Sequence, residues 1–214
     1  MKKKIDHFPN KIPVFPLSNF IIFPRTTVPL NIFEPRYIDM VDDAMKSDRI
    51  IGMIQPKKYN QNNKILHNIG CAGKITSFNE TEDGRYLIVL VGISRFRIIN
   101  EIDNKKLYRE YSVNFDEFKS DLVEEKEDLK FSDLKLIFKD VKSLLTKQGY
   151  VINWKDIEKQ NLDQTINTLS MASPFTLEEK QVLLETSNIS ERKKKLEEIL
   201  STYVVDNFSN KTIQ

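Results

Sequence analysis

The stretch Ile12–Val41, IPVFPLSNFIIFPRTTVPLNIFEPRYIDMV, decides how this chain is read. Pro13, Pro16, Pro24 and Pro29 fall between short apolar runs, a spacing that no helix tolerates. It reads instead as short strands: KIPVFPL as an edge strand, where a missing N–H costs little, and TTVPLNIF as a second strand. At Glu34-Pro35-Arg36-Tyr37 the period changes. Pro35 suits the first turn of a helix, and Tyr37, Val41, Ala44 and Met45 recur at helical spacing. One short helix, EPRYIDMVDDAMKSD, is thus inserted in a β module.

Working outward, strand patterns continue to about residue 115. RIIGMIQPK (49–57) is read as a strand and YNQNNK (59–64) as a polar loop. LHNIGCAGKITSFNE (66–80) is a strand whose glycines at 70 and 73 mark a bend or bulge. TEDGR (81–85) carries the Asp-Gly hairpin signal. YLIVLVGISRFRIINEI (86–102) follows as one long strand or two broken at Gly92, and KLYREYSVNF (106–115) as the last. In RFRI the alternation puts Arg95 and Arg97 on one side, Phe96 and Ile98 on the other. Many short strands with one helix fit a small, partly closed barrel.

Beyond Phe115 the period is helical. DEFKSDLVEEKEDLK (116–130) is highly charged with a weak apolar face. In FSDLKLIFKDVKSLLTKQG (131–149), Leu134, Ile137, Phe138, Val141, Leu144 and Leu145 form one stripe, with Gly149 placed as a C-cap. LDQTINTLSMA (162–172) is a short helix ending before Pro174. TLEEKQVLLE (176–185) opens with Thr176 and Glu179 in capping-box spacing. SERKKKLEEILSTYVVDNF (190–208) is the last helix, with Leu196, Ile199, Leu200 and Tyr203 on one face. The expected class is therefore α+β. A pseudo-barrel of mostly antiparallel strands with one inserted helix spans residues 1–115. A bundle of about four helices spans 116–208, and a frayed tail spans 209–214.

Composition narrows function by exclusion. The 214 residues are 40% hydrophobic and 30% charged, with net charge +2. Residues 1–110 carry 18 Lys+Arg against 12 Asp+Glu, and residues 111–214 carry 15 against 19. The positive first half leaves nucleic acid open as a partner, but no basic patch interleaved with aromatics accompanies it. One cysteine, Cys71, permits no internal disulfide and fits a reducing compartment. Neither a secretory h-region nor an apolar run long enough to cross a bilayer is present, so a cytoplasmic protein without membrane contact is expected.

No phosphate-binding loop, dinucleotide fingerprint, nucleophile elbow or zinc spacing occurs, and neither an enzyme nor a cofactor is expected. What remains are clusters suited to holding something. Glu34, Arg36 and Tyr37 sit where a strand meets a helix N-terminus. There Glu34 could answer free N–H groups, while Arg36 and Tyr37 could form a rim for a peptide. A fixed strand–helix corner is the plainer reading of the same residues. Arg95 and Arg97 could bind acidic groups or be tied to Glu34 or Glu101. Phe20, Ile21, Ile22 and Phe23 are partly core; any part left outside would form a peptide-binding edge.

FPLSNFIIFPRTTVPLNIFEPRYIDMVDDAM closely resembles the start of the N-terminal, substrate-binding domain of the Lon protease family. The later blocks RIIGMIQPK, LHNIGCAGKITSF, DGRYLIVLVGISRFRI and YREYSVNF follow in the same order, and PFTLEEKQVLLE resembles its helical part. The resemblance covers about residues 11 to 205. The runs IFEPRY (32–37) and GISRFRI (92–98) are its specific motifs, and they bring Phe33 and Phe96 into the candidate set. The resemblance implies a PUA-like barrel followed by a helical bundle. It also implies a non-catalytic module that binds unfolded or partly folded polypeptide or a partner protein, possibly a protease or chaperone. With no ATPase or protease motif before residue 214, the chain looks like the stand-alone members. An RNA-binding PUA-like protein, or an adaptor docking on an ATP-dependent protease or chaperone, is the alternative. The resemblance implies no catalytic residue.

Overall fold

In the computed structural model, residues 8–60, 63–123, 134–147, 153–157 and 159–209 are described. They form two compact units, Met1–Val123 and Glu124–Gln214.

The first unit is built on eight strands: β1 Lys11–Pro16, β2 Thr27–Ile32, β3 Ile50–Ile54, β4 Pro56–Asn60, β5 Asn63–Leu66, β6 Ile69–Glu80, β7 Tyr86–Ile102 and β8 Arg109–Asn114. Helix α1 spans Pro35–Met45. The main sheet runs β2-β7-β6-β3-β1-β8, and β8 returns to pair with β7. That last pairing closes β7, β6, β3, β1 and β8 into a ring and leaves β2 outside it as a flank. Only β1 and β3 run parallel. β4 and β5 form a separate hairpin. The polar run expected as a loop at 59–64 therefore falls largely in this two-stranded ribbon, whose Leu66 is buried in the barrel core.

The expected edge strand β1 lies instead between β3 and β8. Its prolines fit because the two ladders are staggered. The N–H of Val113 donates to the Asn10 carbonyl (2.9 Å), so residues 10, 12 and 14 direct their backbone groups to β8. Pro13 therefore turns its missing donor toward β3, whose pairing begins only at Val14. Pro16 turns its own toward β8, whose pairing ends at Val14.

Nor does β7 break at Gly92. It runs on for 17 residues, paired with β2 over Tyr86–Val91, with β6 over Tyr86–Arg97 and with β8 over Arg97–Ile102. The bulge expected near Gly73 is present as a register shift between Ala72 and Gly73. Gly92 is required by a close approach: a Cβ there would lie 2.1 Å from the Phe23 carbonyl oxygen. Thr81–Arg85 is the expected turn, with Gly84 at φ +77°.

The barrel core collects Ile12, Val14, Ile54, Ala72, Phe96 and Tyr111 among others. α1 lies on the sheet through Tyr37, Met40, Val41 and Ala44, which recur at the spacing of one helical face. Tyr108 fastens it further. Its hydroxyl donates to Asp43 (2.7 Å) and accepts from Lys106 Nζ (2.7 Å). Burial, and next the Asp43 carboxylate, push the hydroxyl's pKa up to about 12 against the opposing pull of Lys106.

The expected division at residue 115 falls before a 3-10 helix, Asp116–Leu122, which packs on β7 within the first unit. The charged sequence DEFKSDL suggested the helical half, but its anchors are a single buried Phe118 and two ion pairs described below. The continuation at 124–130 lies outside the described residues, as do Gly149 and the tail beyond Ser209.

The second unit comprises α2 Lys135–Lys147, α3 Trp154–Ile157, α4 Leu162–Ala172, α5 Leu177–Glu185 and α6 Ile189–Ser209. The stripe Leu134, Ile137, Val141, Leu144 and Leu145 is buried, with Phe138 half-buried. The capping box at Thr176 is formed: the Glu179 N–H donates to Thr176 Oγ1 (3.2 Å), and the Thr176 N–H to Glu179 Oε2 (2.8 Å). Inside the bundle, buried Arg192 donates to the Leu183 carbonyl (2.9 Å) and to Asn167 Oδ1 (2.5 Å), tying α6 to α5 and α4.

Two outcomes follow from this packing. Gly92→Ala forces β7 away from Phe23 and lowers stability in urea by about 3 kcal/mol or more, the upper range for overpacking. Tyr108 holds its proton more tightly when folded. Its contribution is therefore complete below about pH 10, where the unfolded tyrosine ionises, and is lost as pH rises toward about 12. Urea midpoints measured across that range fall in the parent protein and fall less in Tyr108→Phe.

Candidate functional site

Where β2 leaves the closed ring, a groove of about 610 Å³ opens in the first unit. That is within the range of ligand pockets. Three segments line it: Phe15–Phe20 at the end of β1, Val28–Phe33 along β2, and Glu34, Arg36 and Tyr37 at the start of α1. The prolines explain the shape. Pro16 ends β1 and frees Leu17–Phe20 to form one wall, while Pro35 starts α1 immediately after β2 and turns the chain over the other end.

The floor is apolar and fixed. Phe15 and Tyr37 are buried with ring centroids 4.3 Å apart, and Val28 and Ile32 are buried beside them. The walls are accessible and mix apolar rings with the uncharged polar Ser18, Asn19 and Asn31. Phe20 is half-buried, and Phe33 is 66% exposed, a large side chain held out in water. Of the lining residues only Glu34 and Arg36 are charged, and they pair with each other: Arg36 donates to Glu34 Oε2 from Nε (3.0 Å) and from Nη2 (2.5 Å). The Arg36 guanidinium also lies 4.7 Å from the Tyr37 ring centroid. Glu34 is the N-cap residue, but its side chain makes no cap bond, contrary to the sequence expectation. Its backbone carbonyl takes the Tyr37 and Ile38 N–H groups instead (2.9 and 3.0 Å).

Of the sequence candidates, Phe20, Phe33, Glu34, Arg36 and Tyr37 thus come together at this groove. The others do not join them. Phe23 and Phe96 are fully enclosed in the core. Phe23 is held at a tight corner: Thr26 Oγ1 donates to its carbonyl (2.7 Å) and accepts its N–H (3.2 Å). Arg95 and Arg97 face the 3-10 helix and pair there with Asp121 and Glu117, where the sequence suggested Glu34 or Glu101. Arg95 is 1% exposed at its side chain and embraces Asp121, itself 7% exposed. Its Nε and Nη2 donate to the two carboxylate oxygens and its backbone N–H adds a third bond, each 2.9 Å. The same guanidinium stacks on Phe118, 4.5 Å from the ring centroid. Arg97 pairs with Glu117 in a half-exposed, two-bond contact of 2.6 and 2.7 Å. That contact, chiefly the hydrogen bonds from Arg97, holds the Glu117 pKa below its ordinary value. Glu101 is engaged by Arg109 and Tyr111.

Sequence reading did not single out Phe15, Leu17, Val28, Leu30 or Ile32 as groove residues. The available signal was the pair Pro16 and Pro35, which bracket the wall segment and the helix start. Among the described residues, no group of three or more His, Cys, Asp or Glu is placed to hold a metal ion, and no helix is long and apolar enough to cross a membrane.

Residues 11–202 match the family model described as the ATP-dependent protease La (LON) substrate-binding domain. The chain is 26% identical over 201 residues to the Lon protease of Flavobacterium johnsoniae, an alignment covering 87% of this chain and 23% of that protein. It is 27% identical over 188 residues to Lon protease 1 of Bdellovibrio bacteriovorus, covering 86% and 24%. The chain thus spans about a quarter of the length of these relatives. Two solved structures share the fold. One is a Lon N-terminal domain protein from Xanthomonas campestris, with TM-score 0.62, 19% identity and coverage of 89% of this chain and 97% of that one. The other is the N-terminal domain of Mycobacterium avium complex Lon protease, with TM-score 0.60, 20% identity and coverage of 89% and 98%.

The two arginine pairs differ enough in burial to be told apart. Asp121→Asn leaves the Arg95 charge uncompensated in a dry site and costs about 3–5 kcal/mol in urea unfolding. Glu117→Gln removes a solvent-screened partner and shifts the midpoint far less.

Proposed function

The chain belongs to the ATP-dependent protease La (LON) substrate-binding domain family, and on that premise we propose that it is a polypeptide-binding module whose binding site is the groove beside β2. The carrying observation is Phe33. An aromatic ring two-thirds exposed at the mouth of a largely apolar groove gains from being covered, and a bound segment can cover it without disturbing the fold. Phe20 on the opposite wall and the Phe15–Tyr37 floor supply the rest of the apolar surface. The bound polypeptide is a segment of a substrate or of a partner protein. The reading needs no reaction: the groove offers rings, methyl groups and one internally neutralised ion pair, which hold a segment and do no bond chemistry on it.

RNA is less well served here. The single arginine at the rim is occupied by Glu34, whereas a strand of phosphates needs several available cations in a row.

Titrating a fluorescently labelled, reduced and carboxymethylated unfolded protein with this chain gives saturable binding. Phe33→Ala weakens it about tenfold or more, as loss of one buried aromatic side chain requires, and leaves the thermal midpoint unchanged. Absence of saturable binding, or a Phe33→Ala variant that binds like the parent, defeats the reading. Displacement of the labelled protein by single-stranded RNA at low salt moves it to nucleic acid.

A further inference from the structure

The groove runs along a strand that has a free side. The Gly92 N–H donates to the Thr26 carbonyl (2.8 Å), and the β2–β7 register continues unbroken from Thr27–Val91 to Ile32–Tyr86. Backbone groups along a strand point alternately to its two sides. Residues 26, 28, 30 and 32 therefore bond β7, while Thr27, Pro29 and Asn31 turn their backbone groups away from the sheet. All three are exposed, and β2 ends the sheet order. The groove is lined both by Val28, Leu30 and Ile32 and by Pro29 and Asn31, as a groove following the strand's edge requires.

We propose that β2 receives an extended, uncharged polypeptide segment as an added strand along this outer edge, with alternate apolar side chains of the segment entering the groove. The proposal rests on the reading of the groove as the polypeptide site and adds how the segment is held. The open edge offers three carbonyl acceptors, at Thr27, Pro29 and Asn31, but only two N–H donors, at Thr27 and Asn31. An incoming backbone is recognised by main-chain bonds, which are indifferent to sequence, and by pockets for every second side chain. Charge sets the rest of the specificity. The two charged lining residues neutralise each other, so the site matches a segment without net charge, and an ionised side chain would be desolvated there with no partner.

Pro29 gives the mode its signature. The occupant's carbonyl opposite Pro29 has no donor to meet, and the same gap prevents the edge from offering a full ladder to any passing strand. Pro29 thus weakens the bond enough to keep it reversible.

The test uses a labelled ten-residue peptide of alternating leucine and threonine with blocked ends. Two further versions are N-methylated at alternate residues, one along each edge. Fluorescence anisotropy with the parent chain and with Pro29→Ala reads the result. Strand addition predicts that methylation along one edge abolishes binding while methylation along the other leaves it within twofold. It also predicts that Pro29→Ala, which restores the missing donor, binds the unmethylated peptide about threefold to tenfold more tightly. Retention of binding by both methylated peptides, with no change in Pro29→Ala, overturns strand addition and leaves the groove reading standing. Failure of every peptide, together with failure of the unfolded protein, overturns both.

Discussion

Seventeen residues of β7 carry ladders to three other strands, and the first unit is organised around that sharing. A sheet closes only if some strand has a free side left for the last one. β7 provides it by length. Tyr86–Val91 are bonded to β2 and Arg97–Ile102 to β8, while β6 lies along Tyr86–Arg97. The β2 ladder ends at Gly92, where the chain comes so close to Phe23 that any side chain would collide with it, and the β8 ladder begins at Arg97. Shortening β7 would leave either the ring open or β2 unattached.

The two ends of β7 then acquire different tasks. Near its start, β2 hangs on as a flank with one edge exposed, and the corner of α1 and the loop after β1 wall that edge into a groove. Near its end, Arg95 and Arg97 reach over the strand and fix the 3-10 helix. The motif GISRFRI therefore serves packing: Phe96 fills the barrel and Arg95 spends its charge on Asp121. The motif IFEPRY contributes Phe33 to open surface and Tyr37 to the floor beneath it. One is a hallmark of the fold's closure; the other lies at the surface where a partner can meet it.

The α+β class, most of the strands, α1 and the four longer helices of the second unit were legible in the sequence because each carries a periodic signal or a local stop; the four-residue α3 was not. Pro35, Asp83-Gly84 and the Thr176–Glu179 box are such stops, and each acts within a few residues. What was not legible depends on partners far along the chain. The prolines of β1 look like edge residues until the stagger of its two neighbours is known. Arg95 looks like a ligand-binding residue until Asp121, distant in sequence, is seen beneath it. DEFKSDL has no apolar stripe because its attachment is one aromatic, Phe118, and two carboxylates, Glu117 and Asp121. The groove itself was half visible: its rim residues stand together in IFEPRY, whereas its lining also needs the end of β1 brought near β2, which is not its neighbour in the sheet.

The Arg95–Asp121 pair also has a mechanical side. Arg25 donates to the carbonyl of Val123 (3.0 Å), the last residue of the first unit, two positions beyond Asp121. A pull on the chain from residue 124 onward meets these two bonds first, and through Arg95 it is carried into β7, the strand with the most ladders to share the load. β8, which would otherwise peel away from its free end one hydrogen bond at a time, is shielded behind the 3-10 helix. A load applied at Val123 is thereby shared between Arg25 and β7 before it reaches the end of β8.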